Sequence, residues 1–400
     1  MNTKEMTLYR AKLHFVSRPL ADIPAKVREE FERIADTVRP GMRIALGIGS
    51  RGISNTALIA KTLVACIRER GAEPFIIPAM GSHGGATAEG QREVLRSYGV
   101  TEEACGAPVI SSMEVVKIGE IGGDRPAGVY MDRNAYAADG VIVMNRVKAH
   151  TDFHGAYESG IVKMLTIGLG KQAQALAVHK YGANGLRDLI PEISRVVLTS
   201  GKILGGLAIL EDGYENTADL RMARPEEFYE VDHEVLLRSK EMMPHLPFDR
   251  IDVLIVEQMG KNISGTGMDP NIIGRVRIEG QEDALPFCSR IVVLGLTPES
   301  HGNALGIGLA DVTTRAVADE IDWEATYANV VTSGFLQRGF LPIVAKDEKE
   351  AVSIALRTCG GPEEGYRVVR IRDTLHIDEI GISESLIPEL EASGLGEMIR

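Results

Sequence analysis

The chain has 400 residues, of which 44% are hydrophobic and 25% charged, a composition typical of a folded protein with more than one domain. Its net charge of −12 argues against nucleic acid or an anionic membrane as a general partner. No run of about 18 apolar residues occurs, and the N-terminus lacks an apolar signal core, so we expect a cytoplasmic protein. The four scattered cysteines form no CxxC pair and are expected to remain reduced thiols.

The first half of the chain alternates buried strands, polar loops and amphipathic helices, which is typical of an α/β fold. Hydrophobic periodicity predicts strands at 6–15, 42–46, 73–78, 140–145 and 204–210, and helices at 23–38, 54–70, 186–198 and 226–240. Turn formers at 242–250 indicate a linker, after which strands begin at 251 and 290 and helices span 310–320 and 348–358.

This order of elements predicts two α/β domains with the active site in the cleft between them. We expect an N-terminal domain at 1–245 and a C-terminal domain at 250–380. The tail at 381–400 is expected to form a short helix that packs back on the N-terminal domain. None of these patterns indicates the oligomeric state.

The polar stretch 145–182 follows the apolar strand at 140–145 and contains His150, His154 and His179 together with Lys163. Ligands of α/β proteins bind in loops that follow such strands. An imidazole can bind a metal or transfer a proton near neutral pH, and a lysine with a lowered pKa can act as a nucleophile. The stretch is therefore the first candidate for a functional site.

Lys163 and His179 would point to nearly opposite faces of one straight helix. Gly168 and Gly170 lie between them and predict a break, which would let both side chains reach the same pocket. Just before Lys163, a glycine at position 160 lets the backbone approach a bulky group closely.

The loop Gly47–Gly52 matches the GxGxxG pattern and stands between a predicted strand and a predicted helix, as a dinucleotide-binding loop does. The acidic residue with suitable spacing is Glu73, but it precedes the next strand instead of following it. Ser50 and Arg51 in the same loop also suit an anion at a helix N-terminus. His83 follows the strand 73–78, where contact with a ligand is favoured over packing in the core.

Taken together, these motifs resemble the nickel-pincer-dependent lactate racemase family of 2-hydroxyacid racemases and epimerases. The resemblance spans nearly the whole chain. Its motifs are, in order, Ser50-Arg51, a GxH at His83, a KxH at His150, an SGxxK from Ser159 to Lys163, His179, and a QxxK from Gln258 to Lys261.

The resemblance implies a cofactor, a nickel-pincer nucleotide in which a pyridinium mononucleotide holds nickel through two sulfurs and a ring carbon. It implies that Lys163 carries this nucleotide and that His179 binds the nickel. His83 and His150 match the two general bases. By the same comparison, Ser50, Ser159 and Gly160 lie near the cofactor, whereas Arg51, Gln258 and Lys261 lie near the substrate, with Lys261 assigned to the catalytic set.

The implied reaction inverts the C2 centre of a small-molecule 2-hydroxy acid. Hydride leaves that carbon while a histidine takes the hydroxyl proton, and hydride returned to the other face gives the opposite configuration. Lys261 or Arg51 would hold the substrate carboxylate. Soft sulfur ligands and an imidazole suit nickel.

This chain departs from the family pattern at positions that affect the substrate. The first loop lacks the acidic residue of the family's D-x-T-R-P, and Glu257 stands where the family has tyrosine. His154 and Glu158 belong to extra residues between His150 and Lys163. We expect a larger, sugar-acid-like 2-hydroxy acid instead of lactate, with Glu257 and His154 binding its additional hydroxyls.

Two other classes of function stay open from the sequence. One is an NAD(P)-dependent oxidoreductase that uses the Gly47–Gly52 loop, and the other is a non-catalytic protein that binds a nucleotide or a metal. Net oxidation with NADH formation would indicate the first, and tight binding without turnover would indicate the second.

Overall fold

The structure is a computed structural model that describes residues 7–50, 52–279, 281–361 and 365–399. The chain forms two compact units. The inserted unit is Val16–Met243, and the terminal unit combines Met1–Phe15 with Pro244–Arg400. The predicted linker at 242–250 begins at the boundary between the units. The first strand, predicted to belong to the N-terminal domain, groups instead with the C-terminal half.

The strands, in chain order, are β1 Tyr9–Leu13, β2 Arg43–Ile48, β3 Glu73–Pro78, β4 Val115–Ile121, β5 Ala127–Asp132, β6 Gly140–Arg146, β7 Ile203–Glu211, β8 Thr217–Ala223, β9 Arg250–Val256, β10 Phe287–Val293, β11 Val312–Thr314, β12 Ile343–Ala345, β13 Val368–Ile371, β14 Glu379–Ile382 and β15 Gly396–Met398. The helices are α1 Ile23–Phe31, α2 Thr56–Glu69, α3 Ala88–Ser97, α4 Glu102–Cys105, α5 Arg133–Ala137, α6 Ile161–Lys163, α7 Leu169–His179, α8 Gly182–Thr199, α9 Phe228–Met242, α10 Pro270–Ile273, α11 Arg315–Glu320, α12 Trp323–Ser333, α13 Glu348–Thr358 and α14 Ile387–Ser393. A π-helical turn, Met164–Gly168, joins α6 to α7. Short 3₁₀ turns occupy Ala35–Thr37, Gly84–Ala86, Pro225–Glu227, Pro298–Ser300, Ile307–Leu309, Leu336–Gly339 and Glu384–Leu386.

The inserted unit is built on a five-stranded sheet with the order β3-β2-β6-β7-β8. The first four strands are parallel, and β8 pairs antiparallel with β7. The apolar runs of β2, β3 and β6 are almost wholly buried, as expected for parallel strands covered on both faces. A separate antiparallel pair, β4-β5, completes this unit's strands. The mixed α/β architecture predicted from the sequence is confirmed.

The terminal unit contains an eight-stranded sheet with the order β12-β11-β10-β9-β13-β14-β1-β15. The strands from β12 to β13 are parallel, whereas β1 runs antiparallel to both β14 and β15. The tail therefore forms α14 and β15 in this unit, and β15 pairs with β1, which lies outside the inserted unit. The sequence instead predicts that the tail packs on the N-terminal domain, with β1 as part of that domain.

One predicted helix is wrong over its first residues. The range 310–320 begins with the strand β11, and only Arg315–Glu320 is helical. Val312 and Thr313 pair with β10, and this pairing in the sheet overrides the local helical pattern. All four cysteines are buried and unpaired. In the described parts of the chain, no helix is both long and apolar enough to cross a membrane.

Candidate functional site

A pocket lies at the carboxyl ends of β2, β3 and β6, three adjacent parallel strands of the inserted unit. It encloses about 390 Å³, including space open to solvent. Ser50 follows β2, His83 follows β3, and Asn145 is near the end of β6. Ser159 and Lys163 complete its polar lining. Polar side chains from separate parts of the sequence meet here because parallel strands end at the same edge of a sheet.

The imidazole of His83 has a defined proton arrangement. Its Nδ1 lies 2.7 Å from the carbonyl oxygen of Met80, which can only accept a hydrogen bond, so Nδ1 carries the proton. In the neutral ring, the Nε2 atom is then unprotonated and can accept a proton. The side chain is exposed and lines the pocket. His83 is therefore suited to take a proton from a bound molecule.

A buried network supports the loop of His83. Gln91 is fully buried, and its Nε2 donates to the carbonyl oxygens of Gly81 at 2.9 Å and His83 at 3.3 Å. Its Oε1 accepts from Lys171 Nζ at 3.1 Å. Lys171 is also buried, donates to Pro78 at the end of β3, and forms an ion pair with Asp132 at 3.2 Å. This arrangement ties the His83 loop to the sheet.

Burial lowers the pKa of Lys171, and Asp132 partly offsets this by favouring the ammonium form. Lys171 also has a left-handed backbone conformation, with φ of 55°, that interrupts α7. The helix break predicted from Gly168 and Gly170 is thus at the residue after Gly170. The break separates the helical residues that carry Lys163 from those that carry His179.

His150 and Lys163 contact each other directly. Lys163 Nζ lies 2.6 Å from His150 Nε2, and the backbone N–H of Asp152 donates to His150 Nδ1 at 3.0 Å. The imidazole is buried, with 6% of the residue exposed, and packs against the ring of Phe153 at a centroid distance of 4.5 Å. Both ring nitrogens of His150 are therefore in hydrogen bonds within the protein.

Glu158 holds the loop that carries His150. Its carboxylate is buried and accepts hydrogen bonds from the His150 N–H at 2.6 Å, the Gly155 N–H at 3.2 Å and Lys240 Nζ at 2.6 Å. Burial alone would raise its pKa, but hydrogen bonds from His154, Lys240 and the His150 N–H together hold the pKa below its ordinary value. Glu158 thus stays ionised and fixes both ends of the loop.

The helical segment that carries Lys163 begins against Asp232 of α9. Asp232 Oδ2 accepts from the Val162 N–H at 2.6 Å. A Cβ at Gly160 would lie 2.5 Å from Oδ2 and closer still to Oδ1. The bulky group that approaches this glycine is therefore the Asp232 carboxylate. Burial raises the pKa of Asp232 to about 7, while the N–H groups of Val162 and Ile161 and the nearby His233 act in the opposite direction.

His179, the last residue of α7, has a buried ring nitrogen available for a ligand. Its Nδ1 has no hydrogen-bond partner in the structure. Burial lowers the pKa of His179, Lys163 would lower it further in its charged form, and Asp152 opposes both effects. A neutral imidazole with an unpartnered nitrogen fits the role of a single metal ligand. Within the described ranges, no three His, Cys, Asp or Glu side chains cluster to bind a metal by themselves.

Comparison with known proteins agrees with this architecture. A protein-family profile described as a domain of unknown function (DUF362) matches residues 49–226, which include every residue that lines the pocket. The lactate racemase apoprotein from Thermoanaerobacterium thermosaccharolyticum is structurally similar, with a TM-score of 0.58 at 13% identity over 92% of this chain and 99% of that chain. No curated protein matches the sequence. The chain has the lactate racemase fold.

The remaining predicted site residues are placed as follows. Arg51 lies outside the described residues. His154 is largely exposed, and its Nδ1 faces Glu158 at 3.4 Å. Glu257 is exposed and forms an ion pair with Arg370 at 2.6 Å.

Gln258 and Lys261 also belong to the terminal unit. Gln258 Nε2 donates to Asp373 Oδ2 at 3.4 Å. Lys261 contacts the side-chain oxygen of Asn329. The pocket in the inserted unit thus brings together His83, Lys163, Ser159 and Ser50, with His150 bonded to Lys163.

Glu73, the acidic residue considered for a dinucleotide site, is the first residue of β3. In the parallel sheet it stands at the edge opposite the pocket, because the pocket is at the carboxyl ends of the strands. Glu73 is therefore not at the position from which an acidic residue would bind ribose hydroxyls beside the Gly47–Gly52 loop.

Several residues of the site were not identified from the sequence. Asn145 lines the pocket, and its buried Oδ1 has no hydrogen-bond partner, while its Nδ2 donates to the Gly160 carbonyl at 3.3 Å. The only sequence signal was a polar residue at the end of an apolar strand. Gln91, Lys171 and Asp232 lie far from these loops in sequence or inside helices, so no local motif marks them.

Proposed function

We propose that the protein is an isomerase, a racemase or epimerase that inverts the C2 centre of a 2-hydroxy acid with a nickel-pincer nucleotide. The observation that carries the proposal is that His83 and Lys163 line one pocket and His150 contacts Lys163, together with the unpartnered Nδ1 of His179. The similarity in fold to a lactate racemase supports it.

The residues present fit such a cofactor. Lys163 offers an amine at the pocket, and His179 offers one buried nitrogen ligand. Accepting and returning hydride at C2 is the chemistry that such a nucleotide supplies when bound. His83 Nε2, which is unprotonated because Nδ1 donates to Met80, would take the hydroxyl proton of one enantiomer and return it to the other. The role of second base falls to His150.

The substrate is proposed as a 2-hydroxy acid, and its size stays a prediction. The two residues expected to bind additional hydroxyls already have partners, since Glu257 pairs with Arg370 and His154 faces Glu158. A larger acid would need to displace these contacts. Lys261 or Arg51 is proposed, on the sequence resemblance alone, to hold the substrate carboxylate.

The test uses protein produced together with the cofactor's biosynthetic enzymes. Enantiopure lactate and polyhydroxylated 2-hydroxy acids are incubated in D₂O, and the products are analysed by chiral chromatography and mass spectrometry. We expect inversion without deuterium at C2, because hydride is moved within the site and does not exchange with solvent. We also expect His83→Ala to abolish inversion, whereas His14→Ala, which removes an exposed histidine of the terminal unit, leaves it unchanged.

Other outcomes would select the other functions. Deuterium incorporation at C2 would indicate deprotonation of carbon and contradict hydride transfer. NADH formation with added NAD would indicate a dehydrogenase. Binding of a nucleotide or nickel without turnover of any acid would indicate a non-catalytic binding protein.

A further inference from the structure

The contact between His150 and Lys163 fixes where the protons lie. The backbone N–H of Asp152 donates to His150 Nδ1 at 3.0 Å. A peptide N–H is always a donor, so this ring nitrogen must accept and cannot carry a proton. The Asp152 carboxylate does not compete, because its Oδ2 is 3.8 Å from Nδ1, beyond hydrogen-bond distance.

The second ring nitrogen must then hold the proton. A neutral imidazole carries one proton, and with Nδ1 bare that proton is on Nε2. Nε2 lies 2.6 Å from Lys163 Nζ, so the N–H points at the lysine nitrogen. An ammonium group has three donors and no acceptor, so a charged Lys163 would place two donors against each other. Only an uncharged amine can accept this hydrogen bond.

The surroundings of Lys163 agree with an uncharged amine. The residue is in the first turn of the helical segment that begins at Ile161, and the positive end of a helix disfavours a cation. Among the described residues, the ionisable groups near it include His150 and Asp152 on the preceding loop, His179 on α7, Asp232 on α9, and His83, which lines the same pocket. Of these, the Asp232 carboxylate is engaged by the Val162 N–H at the helix start.

We propose that, before any cofactor is attached, Lys163 is a neutral primary amine held by His150, and is therefore nucleophilic toward activated acyl and carbonyl carbons at neutral pH. The same hydrogen bond occupies His150 Nε2. Acylation of Lys163 turns its nitrogen into an amide without a basic lone pair and so releases His150. This inference stands on hydrogen bonds within the chain and does not require the racemase reaction.

The experiment is competitive trace acetylation of the full-length protein, without cofactor, by acetic anhydride across pH 6–11. The lysine nitrogen forms a bond to one acyl carbon, the C–O bond to acetate breaks, and the surplus amine proton passes to water or acetate. Peptide mass spectrometry gives the rate at each lysine. Lys117 is the internal reference, since it is exposed and its pKa is raised by a hydrogen bond from its ammonium to Glu120.

We expect the labelling of Lys163 to reach half its maximum at least about 2 pH units below that of Lys117, because an ordinary lysine has a pKa of about 10.4. At pH 7.5, Lys163 should react at least about 10-fold faster than Lys117. His150→Gln supplies a carbonyl that accepts from an ammonium, so the midpoint of Lys163 should move up toward that of Lys117.

A second measurement is independent of any substitution. Ring ¹⁵N shifts of His150 in the wild-type protein report which nitrogen carries the proton, and we expect the Nε2–H form. A proton on Nδ1, equal labelling midpoints for Lys163 and Lys117, or no effect of His150→Gln in a folded variant would each overturn the proposal. Failure to racemise any hydroxy acid would not, so the two proposals fail separately.

Discussion

The buried carboxylate of Asp232 should make the stability of the protein fall as pH rises. Asp232 is 1% exposed and contacts the start of the helical segment that carries Lys163. Its pKa is raised from 3.8 to about 7 by burial. Between these two values the folded state binds more protons than the unfolded state, so stability is lost with increasing pH across this window. The substitution Asp232→Asn removes the titration and keeps an oxygen that can accept from the Val162 N–H.

The size of the effect follows from the shift. A difference of about 3 pH units corresponds to about 4 kcal/mol at about 1.36 kcal/mol per unit. The partial positive charge at the helix start favours the carboxylate by up to about 2 kcal/mol. We therefore expect the stability difference between Asp232→Asn and wild type to change by about 2–4 kcal/mol, in favour of the variant, from pH 4 to pH 8.

The assay is urea unfolding of both proteins at pH 4, 6, 7 and 8, followed by far-UV circular dichroism. Glu234→Gln is the matched control, because it removes one exposed carboxylate from the same helix. Its difference from wild type should be nearly constant with pH. A constant difference for Asp232→Asn as well, or a variant that becomes less favourable at pH 8, would refute the reasoning.

Three further substitutions test other parts of the site. Lys171→Met leaves Asp132 buried without its cation and should lower the free energy of unfolding by about 3–5 kcal/mol. Adding Asp132→Asn should restore part of this loss. A loss below about 1 kcal/mol would contradict a buried ion pair here. Gly160→Ala puts a Cβ against Asp232 and should cost about 1–3 kcal/mol, whereas Gly52→Ala, whose Cβ meets nothing within 4 Å, should be near neutral in the same denaturation assay. His179→Ala should remove nickel, measured by elemental analysis, from protein made with the cofactor pathway, while His14→Ala retains it; equal nickel contents would exclude His179 as the ligand.

The strands and loops that form the pocket could be predicted because each is marked locally. An apolar run predicted β6, and the polar residues after it included His150 and Lys163. The same logic placed His83 after β3. The protonation of the two histidine rings could not be predicted from the sequence. It depends on hydrogen bonds to the Asp152 N–H and the Met80 carbonyl, which are backbone groups that every residue type except proline can supply.

The long-range contacts that hold the site in place could not be predicted from the sequence either. Asp232 contacts a helix start some 70 residues earlier in the chain, and Lys171 reaches β3 across a separation of 93 residues. Such contacts have no periodicity to reveal them. The sequence assigns β1 to the wrong domain for the same reason, because its partners β14 and β15 are more than 350 residues later in the chain.

The position of β1 has a consequence for how the protein is made. Tyr9 pairs with Ile382, so β1 leaves the ribosome long before its partner β14 has been synthesised. The inserted unit is one continuous segment, Val16–Met243, so it can fold before β1 has paired. Pairing of β1 within the terminal sheet is then a late, non-local step, because it requires that β14 and β15 have been synthesised.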